Sequence, residues 1–481
     1  MNRWLRKHYV SIGIALIIGL SASTFLWFHS GVRRSCQSLL GQRQQEPWLT
    51  VFIHGSFGSL LGFLSFFDVI QDKISGTDYR KISKKIRNDS FFYKDQAILA
   101  RGLIPVQPTF DPATVGNKKY AVYPVTKAYE SFAELAEAGQ QTNYFYTFGW
   151  SGLMSQKSRS FESIRLYNAL SEELEHFKSR GITPKIRLIC HSHGGNLSLN
   201  LAAISKLLAS GSVDTTKFAA TVQRDEYESL SQMAEFLKSL PVKDSAKTRT
   251  DQKIFDYVPN NKHLVIDELI MFGTPLQPET ECFANSDMFK HIFNFYSDED
   301  FVQRADWVSS KQPLSGQRLD LANYKAKKHI FQARIITDAA AKEQTVTQQS
   351  KESSFLDTLL KMQDLVIRKS KDPTHKELWC MTWKEDQKNF FLSPFPVMVL
   401  TPLLTTAAYH SHRINDIDIT LQAVKDGIQL STFPYATKQK PIFSTTIKQS
   451  LITSLLEKIK PWHPDESSVK AEFDAIYKYI S

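Results

Sequence analysis

Residues 185–200 read KIRLICHSHGGNLSLN, and they set one serine between two histidines at the point where an apolar run meets a helix-forming one. The first six residues have the short, β-type apolar character of a buried strand. Residues 196–211 then follow the pattern of a helix with an almost continuous apolar surface. Two interpretations compete. Either His191 and His193 are a His-x-His pair of metal ligands, or Ser192 is a nucleophile on a tight turn.

The neighbouring residues decide against the metal interpretation. Zinc sites built on a His-x-His pair need further histidines or carboxylates close by. Here Gly194, Gly195 and Asn196 follow, and the next acidic residue is Asp214. The four cysteines are far apart and form no C-x-x-C pair. The sequence therefore favours Ser192 as a nucleophile and predicts neither a metal nor a cofactor.

Strand and helix patterns alternate on both sides of this stretch. A one-sided apolar spacing predicts a helix over 160–181 that ends at Gly181. Strands that alternate with helices are typical of a parallel sheet covered on both faces, so we expect an α/β fold with a mostly parallel sheet. Besides 185–190, strands are predicted at 48–55, 143–152, 263–275, 291–300 and 330–338.

Three long segments interrupt the alternation, at 58–140, 212–260 and 339–372. Structureless loops of such length are uncommon in a compact domain, so we interpret the three segments as insertions. The pattern predicts one domain over 48–392, followed by a C-terminal extension over 393–481 that packs on its core. The last seventy residues are polar and follow a helical pattern.

The N-terminal residues carry a long apolar run. Residues 9–28 contain no acidic or basic side chain, and about twenty helical residues span roughly 30 Å, the thickness of a bilayer's hydrocarbon core. We expect residues 1–30 to form a single-pass membrane anchor, with a signal peptide as the alternative, and 31–47 to form a linker. Basic residues before the run favour a cytoplasmic N-terminus and an extracytoplasmic main domain.

The composition restricts the class of protein. A hydrophobic content of 42% with 22% charged residues indicates a globular chain. The net charge of +10 comes without a nucleic-acid recognition module, so DNA and RNA are not expected partners. A basic cluster at 80–87 is either a solvated helix face or a segment that attracts anionic lipid headgroups.

The pentapeptide CHSHG at 190–194 resembles the nucleophile elbow of the α/β-hydrolase superfamily, specifically of its lipase-like serine hydrolases. In that motif the serine stands on a strained turn from a strand into a helix. The resemblance extends over most of residues 48 to 380. Cys190 departs from it, because the motif has a glycine there, but a cysteine is small enough to be tolerated.

Two further segments carry the same resemblance. VFIHGSFGS at 51–59 is similar to the family's strand-end His-Gly, and MFGTP at 271–275 is similar to the segment that leaves the strand after the nucleophile helix. The resemblance implies an oxyanion hole formed by the backbone N–H groups of Ser56 and His193.

In this family the acid follows the serine along the chain, and the histidine follows the acid. NFYSDEDFVQ at 294–303 offers Asp300 just after a predicted strand, in a D-x-V context that resembles the family's acid position. Asp298 is the alternative acid.

The family's histidine lies on a loop after the last strand. His375 follows the last predicted strand on a proline-containing loop, and H-x-E-L-W at 375–379 is similar to the sequence around the base in some lipase-like relatives. His410 and His412 are the alternative bases.

The resemblance implies a serine hydrolase that cleaves carboxylic esters. Together with the expected membrane anchor and the basic charge, it favours lipid or acyl esters as substrates. Ser192 would attack the carbonyl, His375 would take the serine proton, and Asp300 would orient the imidazole. Two alternatives stay open. One is a catalytically inactive, membrane-tethered interaction protein of the same fold, and the other is an acyltransferase that uses the same triad.

Overall fold

The structure is a computed structural model, and none of the helices it describes is both long and apolar enough to span a bilayer. The predicted anchor and the linker up to residue 46 lie outside the described residues, as does 339–371. The described parts of the chain are 47–55, 103–106, 122–136, 142–150, 156–211, 215–239, 263–300, 302–303, 317–321, 330–338, 372–379, 392, 395–411, 414–437 and 440–459.

The strands in these parts form one sheet, in the spatial order β10-β9-β8-β7-β6-β5-β4-β1-β3-β2. The seven central strands, from β8 to β3, run parallel. At one edge β2 pairs antiparallel with β3, and at the other edge β9 pairs antiparallel with both β8 and β10. The strands are β1 (Trp48–Ile53), β2 (Leu103–Pro105), β3 (Asn143–Phe148), β4 (Lys185–His191), β5 (Ile266–Phe272), β6 (Phe289–Tyr296), β7 (Ile330–Asp338), β8 (Asp416–Val424), β9 (Gly427–Pro434) and β10 (Phe443–Lys448).

Helices connect and cover the strands. The α-helices are α1 (Val122–Leu135), α2 (Gln156–Ser179), α3 (His193–Ala209), α4 (Arg224–Ser239), α5 (Pro278–Glu281), α6 (His375–Trp379), α7 (Thr401–His410) and α8 (Gln449–Ile459). Short 3₁₀ turns occur at Thr216–Phe218, Cys282–Asn285 and Val397–Leu400.

Helices cover both faces of the sheet, and the side chains of each strand alternate between the two faces. In β1, Leu49, Val51 and Ile53 belong to an apolar core shared with α2, α3 and α4. Phe52 points to the other face, into a core shared with α1, α6, α7 and α8. The predicted α/β class, a mostly parallel sheet with helices on both faces, is confirmed.

Each predicted strand overlaps an observed one, namely β1 and β3 to β7, and the differences are confined to a few residues at the ends. The predicted helix at 160–181 corresponds to α2. The helical expectation for the last seventy residues is wrong over 416–448, where β8, β9 and β10 extend the sheet. Residues 416–421, DIDITL, alternate polar and apolar with the period of a strand, and the apolar members are buried.

Candidate active site

Ser192 and Asp300 lie beyond the carboxyl ends of three neighbouring strands, β4, β5 and β6. β4 ends at His191, directly before Ser192, and pairs in parallel with β5, which ends at Phe272. β5 pairs in parallel with β6, and Asp300 follows the end of β6. Open parallel sheets bind ligands beyond the carboxyl ends of their strands, so these residues lie where a site is expected.

Ser192 occupies a strained turn between β4 and α3. Its φ is 51° and its ψ is −131°, a region that costs a residue other than glycine about 1–3 kcal/mol. Its backbone N–H donates to the carbonyl of Phe272 at 2.9 Å, which ties the turn to the end of β5. A serine held at positive φ between strand and helix has the backbone geometry that a nucleophile elbow requires.

Glycines allow the chain to close around this turn. A Cβ on Gly55 would come within 2.6 Å of the Cβ of Ser192, and one on Gly194 would come within 2.6 Å of the carbonyl oxygen of His54. Gly195 is restricted in the same way by the loop after β5. Larger residues at these positions would force the β1 loop and the serine turn apart.

Cys190 stands at the leading position of the elbow. Its side chain is fully buried on the α3 side of the sheet, and its Sγ lies 3.2 Å from the hydroxyl of Ser198. Burial raises the pKa of the thiol to about 12, so the thiol stays protonated. Cys190 therefore packs as a small apolar side chain in the place of the expected glycine.

His375 and Asp300 form a hydrogen-bonded pair. Nδ1 of His375 lies 2.7 Å from Oδ2 of Asp300, whose carboxylate is fully buried. The other carboxylate oxygen accepts the backbone N–H of Gln303 at 3.1 Å. The Gln303 side chain donates to the carbonyl of Thr274 at 2.8 Å, which ties the acid to the loop after β5. With Nδ1 bound to Asp300, Nε2 of His375 is the nitrogen left to accept a proton.

A capping box fixes the short helix α6 that begins at His375. The backbone N–H and the hydroxyl of Thr374 both donate to Oε2 of Glu377, at 2.8 and 3.0 Å. The N–H of Glu377 donates back to the Thr374 hydroxyl at 3.4 Å. This exchange satisfies groups that a helix start leaves without partners. Trp379, at the other end of α6, is buried in the core on the α1 side of the sheet.

Gly273, in the loop after β5, lies between the His375–Asp300 pair and the serine turn. A Cβ on Gly273, whose φ is +59°, would lie 2.7 Å from Oδ2 of Asp300 and 3.1 Å from Nδ1 of His375. Phe272, directly before it, accepts the N–H of Ser192. Within the described residues the Ser192 hydroxyl makes no hydrogen bond to His375, and such catalytic contacts often tighten only when substrate binds.

The two histidines that flank the serine have different partners. Nε2 of His191 lies 3.1 Å from the carbonyl oxygen of His375, and its ring stacks on Trp379. Nδ1 of His193 lies 3.4 Å from the amide nitrogen of Asn196, on the same helix. Among the described residues, no group of three or more His, Cys, Asp or Glu side chains is arranged to hold a metal ion.

Trp150 holds the end of β1 through hydrogen bonds to His54. This role was not predicted from the sequence. The indole N–H of Trp150 donates to the carbonyl of His54 at 2.8 Å, and its backbone N–H donates to Nε2 of His54 at 3.3 Å. Nδ1 of His54 therefore carries the proton that it donates to the carbonyl of Gly55 at 2.6 Å. Ser56, the first predicted oxyanion donor, lies outside the described residues. The second, His193, is the first residue of α3.

Asp298 and His410, the alternatives that the structure describes, have other partners. Oδ2 of Asp298 accepts a hydrogen bond from the guanidinium of Arg334 at 2.8 Å. His410 is exposed at the end of α7, and its ring stacks on Phe443 of the edge strand β10. His412 lies outside the described residues.

Comparisons of this chain with protein-family models, with curated proteins and with solved structures found no match. The resemblance to lipase-like hydrolases therefore stays a prediction from the sequence. The chemistry of the site is inferred from its own geometry, that is, from the strained serine turn and the adjacent His–Asp pair.

Proposed function

We propose that this chain is a serine hydrolase of the α/β-hydrolase type that cleaves carboxylic esters. The observation that carries the proposal is the 2.7 Å hydrogen bond from His375 to the fully buried carboxylate of Asp300. Gly273 lies against this pair and follows Phe272, which accepts the N–H of Ser192, a serine with positive φ on a strand–helix turn. A buried carboxylate in this position holds the imidazole in one tautomer and stabilises the imidazolium that forms when the serine gives up its proton.

In the proposed reaction, Oγ of Ser192 attacks the ester carbonyl carbon and its proton passes to Nε2 of His375. The N–H groups of His193 and Ser56 stabilise the negative oxygen of the tetrahedral intermediate. The carbon–oxygen bond to the alcohol then breaks, and the alcohol leaves with the proton from His375. Water, deprotonated by His375, attacks the acyl-enzyme and releases the acid and free serine.

The proposed substrates are lipid or acyl esters at a membrane surface. Support for this class comes from the sequence, in the uncharged run at 9–28 and the basic cluster at 80–87. Both lie outside the described residues. A membrane anchor would hold the site close to such esters, and a basic segment would be attracted to anionic headgroups.

Labelling of the full chain with a fluorophosphonate tests the proposal. An activated serine attacks the phosphorus and displaces fluoride, which leaves a stable phosphonylated serine. We expect one adduct per chain, found by mass spectrometry on Ser192, and none on a chain unfolded in urea before the probe is added. A folded chain that stays unlabelled, or that carries the adduct on another serine, would contradict the proposed function.

Replacing Asp300 with asparagine is expected to lower kcat for a p-nitrophenyl ester by about 10⁴-fold, because an amide favours the wrong imidazole tautomer. Asp298→Asn is the matched control. Asp298 lies two residues from Asp300, but its carboxylate contacts Arg334. The kcat of this variant is therefore expected to stay close to that of the wild type. Steady-state hydrolysis of both variants measures the difference. A loss confined to Asp298→Asn would assign the acid to Asp298.

A further inference from the structure

His191 lies between the nucleophile turn and the helix that carries the proposed base. It precedes Ser192 directly, and its ring centroid lies 4.3 Å from that of His375. Its Nε2 is 3.1 Å from the carbonyl oxygen of His375. We propose that His191 is a positioning residue, which uses this hydrogen bond to hold His375 in place relative to Ser192. The inference rests on the proposed function of these two residues.

The same ring contacts both ends of α6. Besides its contact with His375, the first residue of the helix, it stacks on Trp379, the last, with centroids 5.3 Å apart and planes inclined by 7°. Trp379 in turn packs edge-on against Phe52 of β1. Because α6 has only five residues, these two contacts fix both its position and its direction.

The β1 loop leaves room for the ring at this point. A Cβ on Gly55 would lie 3.0 Å from Nδ1 of His191, closer than most Cβ contacts in proteins. The imidazole is therefore enclosed by the Gly55 loop and by α6, and its residue is 6% exposed. An enclosed ring that is covalently next to Ser192 transmits the position of the serine turn to the helix of His375.

The protonation state of His191 suits this role. Burial lowers the pKa of His191 well below its usual range, and the neighbouring His375 lowers it further. The neutral ring has one N–H, which Nε2 donates to the carbonyl of His375. In the proposed reaction His375 becomes positive, and a neutral neighbour at this distance adds no repulsion to that charge.

Two substitutions separate positioning from simple packing. His191→Phe keeps a ring that can stack on Trp379 but removes the donor, whereas His191→Gln keeps an N–H donor and removes the ring. We expect His191→Phe to lower kcat by about 100-fold, the cost of a misplaced catalytic group, with KM little changed. His191→Gln should recover most of that loss. His176→Phe, an exposed histidine on α2, is the control.

A merely structural role of His191 predicts a different result for the two variants. Loss of the ring would then lower the melting temperature more in His191→Gln than in His191→Phe, and kcat of the folded variants would match the wild type. If both variants keep the kcat of the wild type, the positioning role of His191 is overturned. The proposed function still stands in that case, provided that the wild type is labelled at Ser192. Failure of the folded wild type to label at Ser192 would overturn the proposed function and this inference together.

Discussion

Replacing Ser192 with alanine is expected to lower kcat for ester hydrolysis by about 10⁶-fold, the loss typical of a nucleophile removed from a Ser-His-Asp triad. The remaining His375–Asp300 pair has no hydroxyl to activate, so no acyl-enzyme forms. Binding and the oxyanion donors can still leave a residual rate about 10³-fold or more above that in water. Steady-state hydrolysis of a p-nitrophenyl ester gives kcat, and fluorophosphonate labelling should disappear in parallel.

The matched control is Ser205→Ala, a buried serine nearer the other end of α3. It is expected to keep wild-type kcat. Alanine and serine are equally strained at a φ of 51°, so Ser192→Ala should melt close to the wild type and its inactivity cannot be attributed to unfolding. Activity that survives in Ser192→Ala would reject Ser192 as the nucleophile.

Replacing His375 with alanine is expected to have a similar effect, a fall in kcat of about 10⁶-fold, because the base and the nucleophile act as a unit. The hydroxyl of Ser192 would remain but would keep its proton at neutral pH. The side chain of His375 is 17% exposed, so added imidazole should reach the space it leaves and restore part of the activity. The measurement is kcat with and without imidazole.

Two histidines serve as comparisons for this variant. His410→Ala should keep wild-type kcat, because its ring stacks on Phe443 at the sheet edge, four strands beyond β6. His412→Ala tests the other alternative base. Full activity in His375→Ala, combined with a large loss in either comparison variant, would move the base to that residue.

The sequence predicted the elements whose signal is local. Buried parallel strands are short apolar runs, so β1 and β3 to β7 were recognisable. β8 to β10 were missed because they lie in a polar tail, and β8 and β9 bury polar side chains such as Asp418 and Thr432 beside their apolar ones. The alternation of polar and apolar residues in DIDITL at 416–421 is the signal that identifies β8.

Local sequence patterns could not predict which residues of the site contact one another. The chain order of Ser192, Asp300 and His375 followed from the family resemblance, but in the sequence only the D-x-V context of Asp300 distinguishes it from Asp298. Their contacts differ more clearly, since Asp298 binds an arginine and Asp300 a histidine. Trp150 reaches His54 across 96 residues, and His191 reaches His375 across 184. No periodicity encodes pairs so far apart.

The distance along the chain between the proposed acid and base has a consequence for biosynthesis. His375 contacts Asp300 across 75 residues and follows seven of the ten described strands. Ribosomes deliver the N-terminal part of a chain first. A nascent chain that already carries Ser192 and Asp300 would therefore be inert until α6 emerges and docks on His191. Such an enzyme would first become able to hydrolyse esters late in its own synthesis, without a separate inhibitor.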